Sequence, residues 1–371
     1  MFRLFKYSLI FTALLLVFTR SNDSFAGTDI SMNLVSPGLL EAANLKLVWE
    51  SSLPMKKNES MEQMVILGDQ IYLISNRNFA MALDRKTGDK IFNRTIALEG
   101  LIIEGIIDIN DQIIYVVGNR YVELEAKTGN EKKSTEVGYG IESPVVRNNS
   151  FFYVSGTDRR LHVLKAEERV EFFKVASEND AMITTVVPGE DYIIFGTDKG
   201  DLYSMLPDSP KSLWKFNAAD GLVGQVVRDG NDLYFSSKDM NVYKIDASNM
   251  YSYKFVWKTL VPGIIQKGPR VTRNMVYQNA FSKNMSVSAM DKDTGRIIWE
   301  VAGGVELLAE SRGRAYIITE DNTLVVMHNA SAKNVYSANF ADVTRYACNT
   351  MDSKIYIGDK AGRIACLEPL N

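Results

Sequence analysis

Side chains able to do chemistry are few. The chain of 371 residues has two histidines, His162 and His328, and two cysteines, Cys348 and Cys366. A Ser-His-Asp relay or a zinc site would need a histidine with partners at a recognisable spacing. His162 instead alternates with apolar residues in LHVLK (161–165), and His328 stands where similar stretches carry Asp or Glu, so both read as satisfied or solvated. No His/Cys cluster, GxxxxGK[ST] or post-strand GxGxxG occurs. Acidic stretches such as SENDA (177–181) lack the spacing of a calcium loop. What does recur is Asp-x-x-Thr-Gly, as in MDKDTGRIIWEV (290–301). In that pattern Gly supplies a positive φ, while Asp and Thr bond to backbone amides of the turn. Its chemistry is that of a hairpin.

These turns must be held by strands, and the strands repeat. MALDRKTGDKIF (81–92) and ELEAKTGNEKK (123–133) match SAMDKDTGRIIW (288–299), with weaker copies in VYKIDASNM and VVMHNASAK. Upstream of the copies, β-rich runs superpose Tyr72, Tyr115, Tyr153, Ile194, Tyr234, Tyr277, Tyr316 and Tyr356 at intervals of 38 to 43 residues. Each unit reads as four short strands with tight turns. Eight such units predict an all-β, eight-bladed β-propeller of four-stranded antiparallel blades over residues 45–371. A large side chain follows the Asp position by eight residues at Phe92, Phe173, Trp214, Trp299 and Tyr336, and after an insertion at Trp257; the second unit has Lys133 there. Such a ring suits wedging between neighbouring blades.

The eighth unit runs out of chain before its outer strand. LKLVWESS (45–52) resembles KSLWKFN and RIIWEVA but has no inner strands before it. The prediction is that residues 45–50 supply the missing strand, with Trp49 in the aromatic position. Cys348 and Cys366 then fall on non-adjacent strands near 10 Å apart, beyond the roughly 7 Å reach of a disulfide, so two separate thiols are expected.

Residues 1–26 read as a secretory signal: Arg3 and Lys6, the apolar run Tyr7 to Phe18, then small residues before Gly27. The run is too short to span a bilayer, and no later stretch is longer. Residues 27–44 form a lead into the propeller. Losing Arg3, Lys6 and Arg20 against Asp23 moves the formal charge from −3 to −5. That balance gives no electrostatic reason to bind nucleic acid.

ALDRKTGDKIF, ELEAKTGNEKK and AMDKDTGRIIWEV resemble the Ala-x-Asp-x-x-Thr-Gly-x-x-x-Trp repeat of the PQQ-like (quinoprotein-type) propellers. The resemblance spans nearly the whole chain beyond the signal. One branch, the quinoprotein dehydrogenases, implies PQQ and calcium held with an adjacent Cys-Cys pair and a long inserted arm, which this sequence lacks. The other, the BamB-type propellers of outer-membrane β-barrel assembly, implies a non-enzymatic, cofactor-free periplasmic monomer that binds the barrel-assembly subunit through loops on one face. Members of that branch normally carry a lipid-bearing Cys after the signal. Here the region reads SNDSFAGTDI, so a protein not anchored through an N-terminal Cys is expected.

In a propeller the loops entering the innermost strands crowd one mouth of the channel. They contain Glu104, Glu142, Asp180, Asp220, Glu306 and Asp342, with Lys267, Arg270 and Arg345 interspersed. DGLVGQ and PGIIQKG add Leu222, Val223, Ile264 and Ile265. Apolar anchors beside charges suit a protein-binding patch.

Overall fold

Each unit of about 40 residues folds where its turn residues direct. The computed structural model describes residues 33–109 and 111–370, so the expected signal segment lies outside the described residues. Blade 1 is built from Met61–Leu67, Gln70–Ser75, Phe79–Asp84 and Lys90–Thr95, hydrogen-bonded in that order. Blades 2 to 5 and blade 7 repeat this meander, starting at Glu104, Val146, Ile183, Leu222 and Gly304. In blade 6 the inner strand is broken into Ile264–Ile265 and Arg270–Val271, both paired with Met275–Phe281. Blade 8 has Arg345–Ala347, Ile355–Gly358 and Arg363–Pro369, and takes its outer strand from the other end of the chain.

That outer strand is Leu45–Ser52, antiparallel to Arg363–Pro369 with Trp49 opposite Cys366. The first strands of blades 8 and 1 also touch, completing the ring. A short helix, Pro37–Ala42, precedes the closing strand; Ser36 caps it and Pro37 suits its first turn. Leu34, Val35 and Leu40 pack on Phe340, Val343 and Leu367, so the lead is part of the core between blades 7 and 8.

The core is distributed over the junctions between neighbouring blades. Tyr72, Ala82 and Phe92 of blade 1 share a cluster with Ile113, Tyr115 and Leu124 of blade 2. Because each sheet is covered on both faces, the middle strands lose the in-out alternation of a half-buried strand and read as continuous apolar runs such as FFYVS. The outer strands keep one exposed edge, as in EKKSTE.

The Thr-Gly turns lie where blades meet. Asp84 accepts from the amides of Lys86 and Thr87, at 2.8 and 2.9 Å, and Asp291 accepts from the amide and hydroxyl of Thr294. Gly88, Gly129 and Gly295 sit at φ +76°, +70° and +72°. A Cβ on them would lie within about 2.6 Å of the rings of Trp49, Phe92 and Trp257, each on the outer strand of the preceding blade. The two indoles donate into the same turns, Trp49 to the carbonyl of Arg85 and Trp257 to that of Lys292, both at 3.1 Å. Two residues after each ring, Ser51 and Thr259 donate to the carbonyls of Gly88 and Gly295. The repeat is thus a latch between blades.

Candidate functional site

The loops entering the inner strands share one face with the turns between second and third strands. The two sets are tied by backbone bonds, among them Lys238 N–H to the Gly221 carbonyl, Val261 N–H to Met240 and Ile96 N–H to Asn78. The charged residues expected on this face are present but largely paired within the chain. Glu306 is buried and accepts both guanidinium hydrogen bonds of Arg270, at 3.0 and 2.9 Å, with Lys267 at 3.8 Å. Burial works against the charge of Arg270, but the bonds it donates to Glu306 outweigh this and raise its pKa. Arg345 donates to Glu62 and to the Met61 carbonyl, joining blade 8 to blade 1. Asp180 pairs with Arg159 and Arg160, and the hydrogen bond from Arg160 leads in lowering its pKa. Asp342 pairs with Arg363 at 3.7 Å. Glu104, Glu142 and Asp220 stay exposed. Half of the six acids are therefore neutralised by their own neighbours, and Arg270–Glu306 and Arg345–Glu62 set the charges of one inner strand against those of the next.

The apolar residues divide. Leu222 and Ile265 are buried and Val223 is half-buried; their backbones are strands, and their side chains turn into the blade 4–5 and 5–6 junctions. This corrects the expectation that they stand as loop anchors. Ile264 alone of the four faces out, 57% exposed. It lies opposite Phe281 in the sheet, and Leu260 and Met240, both exposed, continue the same ledge.

A second display on this face was missed by sequence reasoning. Leu98, Leu101 and Ile102 are exposed in the loop between blades 1 and 2, over a cleft of about 600 Å³ lined also by Arg120 and Glu136. The buried amide of Asn78 donates to the Leu98 and Leu101 carbonyls at 2.7 and 2.8 Å, which fixes the loop. The signal was IALEGLII: an apolar run without strand alternation, in a position where other units carry polar loops.

Both histidines have partners within the chain. His162 is buried with both ring nitrogens facing carboxylates, Glu171 at 2.5 Å and Asp158 at 3.1 Å, and stacks on Tyr139 at 3.6 Å. His328 accepts the Ser331 amide, as Asp291 accepts that of Thr294. Both cysteines are free thiols, and burial pushes Cys348 up to about 12 and Cys366 to about 11. Among the described residues no three His, Cys, Asp or Glu side chains converge as metal ligands, and no helix is long and apolar enough to cross a membrane.

The family model described as outer membrane protein assembly factor BamB matches residues 46–250 and 198–342, from the closing strand to the loop after blade 7. The chain belongs to that family. No curated protein matches it in sequence. Among solved structures, BamB from Moraxella catarrhalis superposes with a TM-score of 0.66 at 14% identity, covering 87% of this chain and 97% of that one. A computationally designed protein, Ika8, gives 0.64 at 11% identity, over 85% and 98%. Quinohemoprotein alcohol dehydrogenase from Comamonas testosteroni gives 0.63 at 12% identity, over 89% and 77%. At these identities the three likenesses show the shared propeller and not a shared activity.

Proposed function

We propose that the protein is a non-enzymatic, periplasmic protein-binding scaffold that serves outer-membrane β-barrel assembly and uses its loop face to hold a partner of the cell envelope. The observation that carries this reading is the pair of apolar displays on one face, at blades 1–2 and 5–6, where seven large apolar side chains are left in solvent. Exposed apolar groups gathered on one face of a soluble ring mark contact with another macromolecule. Several of the charges on this face are paired internally, and those pairs shape the face and add specificity more than attraction. Family membership supplies the context, and a barrel-assembly subunit is the partner it favours. The signal-like leader supports export.

Affinity capture from native envelopes, with the partner identified by mass spectrometry, tests the proposal. A barrel-assembly component is expected to co-purify with wild-type protein and to be lost with Leu101→Asp/Ile102→Asp or Ile264→Asp. The likeness to the quinohemoprotein keeps an oxidoreductase as the competing reading. A rise in melting temperature on adding PQQ and Ca²⁺, together with dye-linked alcohol oxidation, would replace the scaffold reading with that one.

A further inference from the structure

The two displays differ in their surroundings, and the one on blades 5–6 carries a specific chemistry. Its four apolar side chains are Met240 (39% exposed), Leu260 (61%), Ile264 (57%) and Phe281 (39%). Backbone pairing makes them contiguous: Leu260 lies opposite Asn241, the Val261 amide donates to the Met240 carbonyl, and Ile264 lies opposite Phe281. Exposed lysines stand at both flanking turns, Lys238 two residues before Met240 and Lys283 two residues after Phe281. Neither makes an ion pair among the described residues. Lys267, exposed on the segment between the two inner-strand pieces, reaches Glu306 only at 3.8 Å. Asp239 is turned to the Tyr243 hydroxyl and the Asn241 amide and Asp220 accepts the Gly221 amide, while the exposed Glu320 and Asp321 stand on the neighbouring blade 7 turn. On a chain whose total charge is negative, this is a local cationic rim around an apolar ledge.

We infer that this ledge docks an acidic, apolar protein segment: a loop or strand bearing Leu, Ile or Phe flanked by Asp or Glu. The inference rests on the scaffold reading for the face as a whole and specifies the occupant of one part of it. Apolar contact supplies most of the affinity, while the lysine rim speeds encounter and rejects basic segments. An anionic membrane is disfavoured as occupant because the chain's overall negative charge opposes approach to it.

The test uses full-length protein and short fluorescent peptides: one alternating Leu and Phe with Glu, one with Lys in place of Glu, and one with Ser in place of the apolar residues. The acidic apolar peptide should bind about tenfold or more tighter than either control, and raised salt should weaken it. Ile264→Ser/Phe281→Ser should abolish that binding, and Lys238→Glu/Lys283→Glu should reverse the preference toward the basic peptide. Unchanged thermal unfolding checks that both variants fold. Equal binding of acidic and basic peptides, or indifference to both variants, overturns the inference. So does binding of anionic phosphatidylglycerol vesicles in place of peptide, or a wild-type dimer in sedimentation that Ile264→Ser disperses. The two readings fail separately: envelope capture without peptide discrimination sinks the ledge and leaves the scaffold, whereas peptide discrimination without envelope capture does the reverse.

Discussion

The junction between blades 5 and 6 and the one between blades 6 and 7 are built on the same plan, yet only the first is complete. At the first, Trp257 lies on Gly295, its indole N–H donates to the Lys292 carbonyl, and Asp291 ties the turn. At the second, Trp299 is equally buried, but its indole N–H has no partner. The turn it faces has Ala332 where blade 6 has Gly295, held at φ +55°, and His328 in place of Asp291. Trp214, facing the lengthened turn of blade 5, is likewise unpartnered. Blade 3 goes further: Arg169 takes the glycine position at φ +63° and donates twice to buried Glu123 of blade 2, where Lys133 stands in the aromatic place. The ring therefore tolerates loss of the motif while ring burial, or a substitute ion pair, remains.

The comparison is most severely strained at the closing blade, where the strand that carries Trp49 is held to the other strands of its own sheet by non-covalent contacts alone. Trp49→Ala removes a buried ring and a turn hydrogen bond from the strand that joins the chain's ends, and a loss of about 3–5 kcal/mol is expected in denaturant unfolding. The same truncation at Trp299 should cost about 1 kcal/mol less, since no hydrogen bond is lost there. Equal costs would mean the indole bond contributes nothing.

Glycine substitutions sharpen the contrast in opposite directions. Gly295→Ala places a Cβ about 2.6 Å from the Trp257 ring at a left-handed backbone position, and about 2–4 kcal/mol of destabilisation is expected. Ala332→Gly should stabilise by about 1 kcal/mol, because it relieves the same backbone strain in blade 7. Conservative changes at the rings give a smaller split. Trp257→Phe removes one of the two donors to the Lys292 carbonyl, leaving Lys244 Nζ at 3.3 Å, at a cost of about 1 kcal/mol, while Trp299→Phe discards an unsatisfied N–H and should be nearly neutral.

How much of this was legible depends on what each residue answers to. The tyrosine register and the Thr-Gly turns are dictated by local strand and turn geometry, so the blade count and a closing strand at residues 45–50 could be read directly, and the strand runs on to Ser52. The helix Pro37–Ala42 was not read, being a single capped stretch held by packing on blades 7 and 8. The loop face was only partly legible, since whether Leu222 or Ile264 points outward depends on where the inner strand begins. In blade 6 that strand is interrupted, which shifts the alternation by which one would judge. Charge pairing across blades, such as Arg270 with Glu306, joins residues one repeat apart and has no signature in either segment alone.

The smallest effect separates the turns by acid. In Asp84 the amide of Thr87 leads in lowering the carboxyl pKa, and in Asp291 the hydroxyl of Thr294 does so, because hydrogen bonds to the anion favour the charged form. A carboxyl depressed on folding contributes stability that is fully present above its unfolded value of about 4, and that is lost as pH falls through the lower folded value. Wild-type protein should therefore lose stability on acidification below about pH 4 more steeply than Asp291→Asn. Asp84 and Asp291 are half-buried and still reached by solvent, so the difference is expected to be only a fraction of a kcal/mol. His328→Asp, which rebuilds the acid in the blade 7 turn, should steepen the same limb of the profile and give the Ser331 amide a stronger acceptor. Parallel acid profiles for all three proteins would show that the turn carboxylate is not what separates the complete latch from the incomplete one, leaving the indole bond and the glycine to account for the difference.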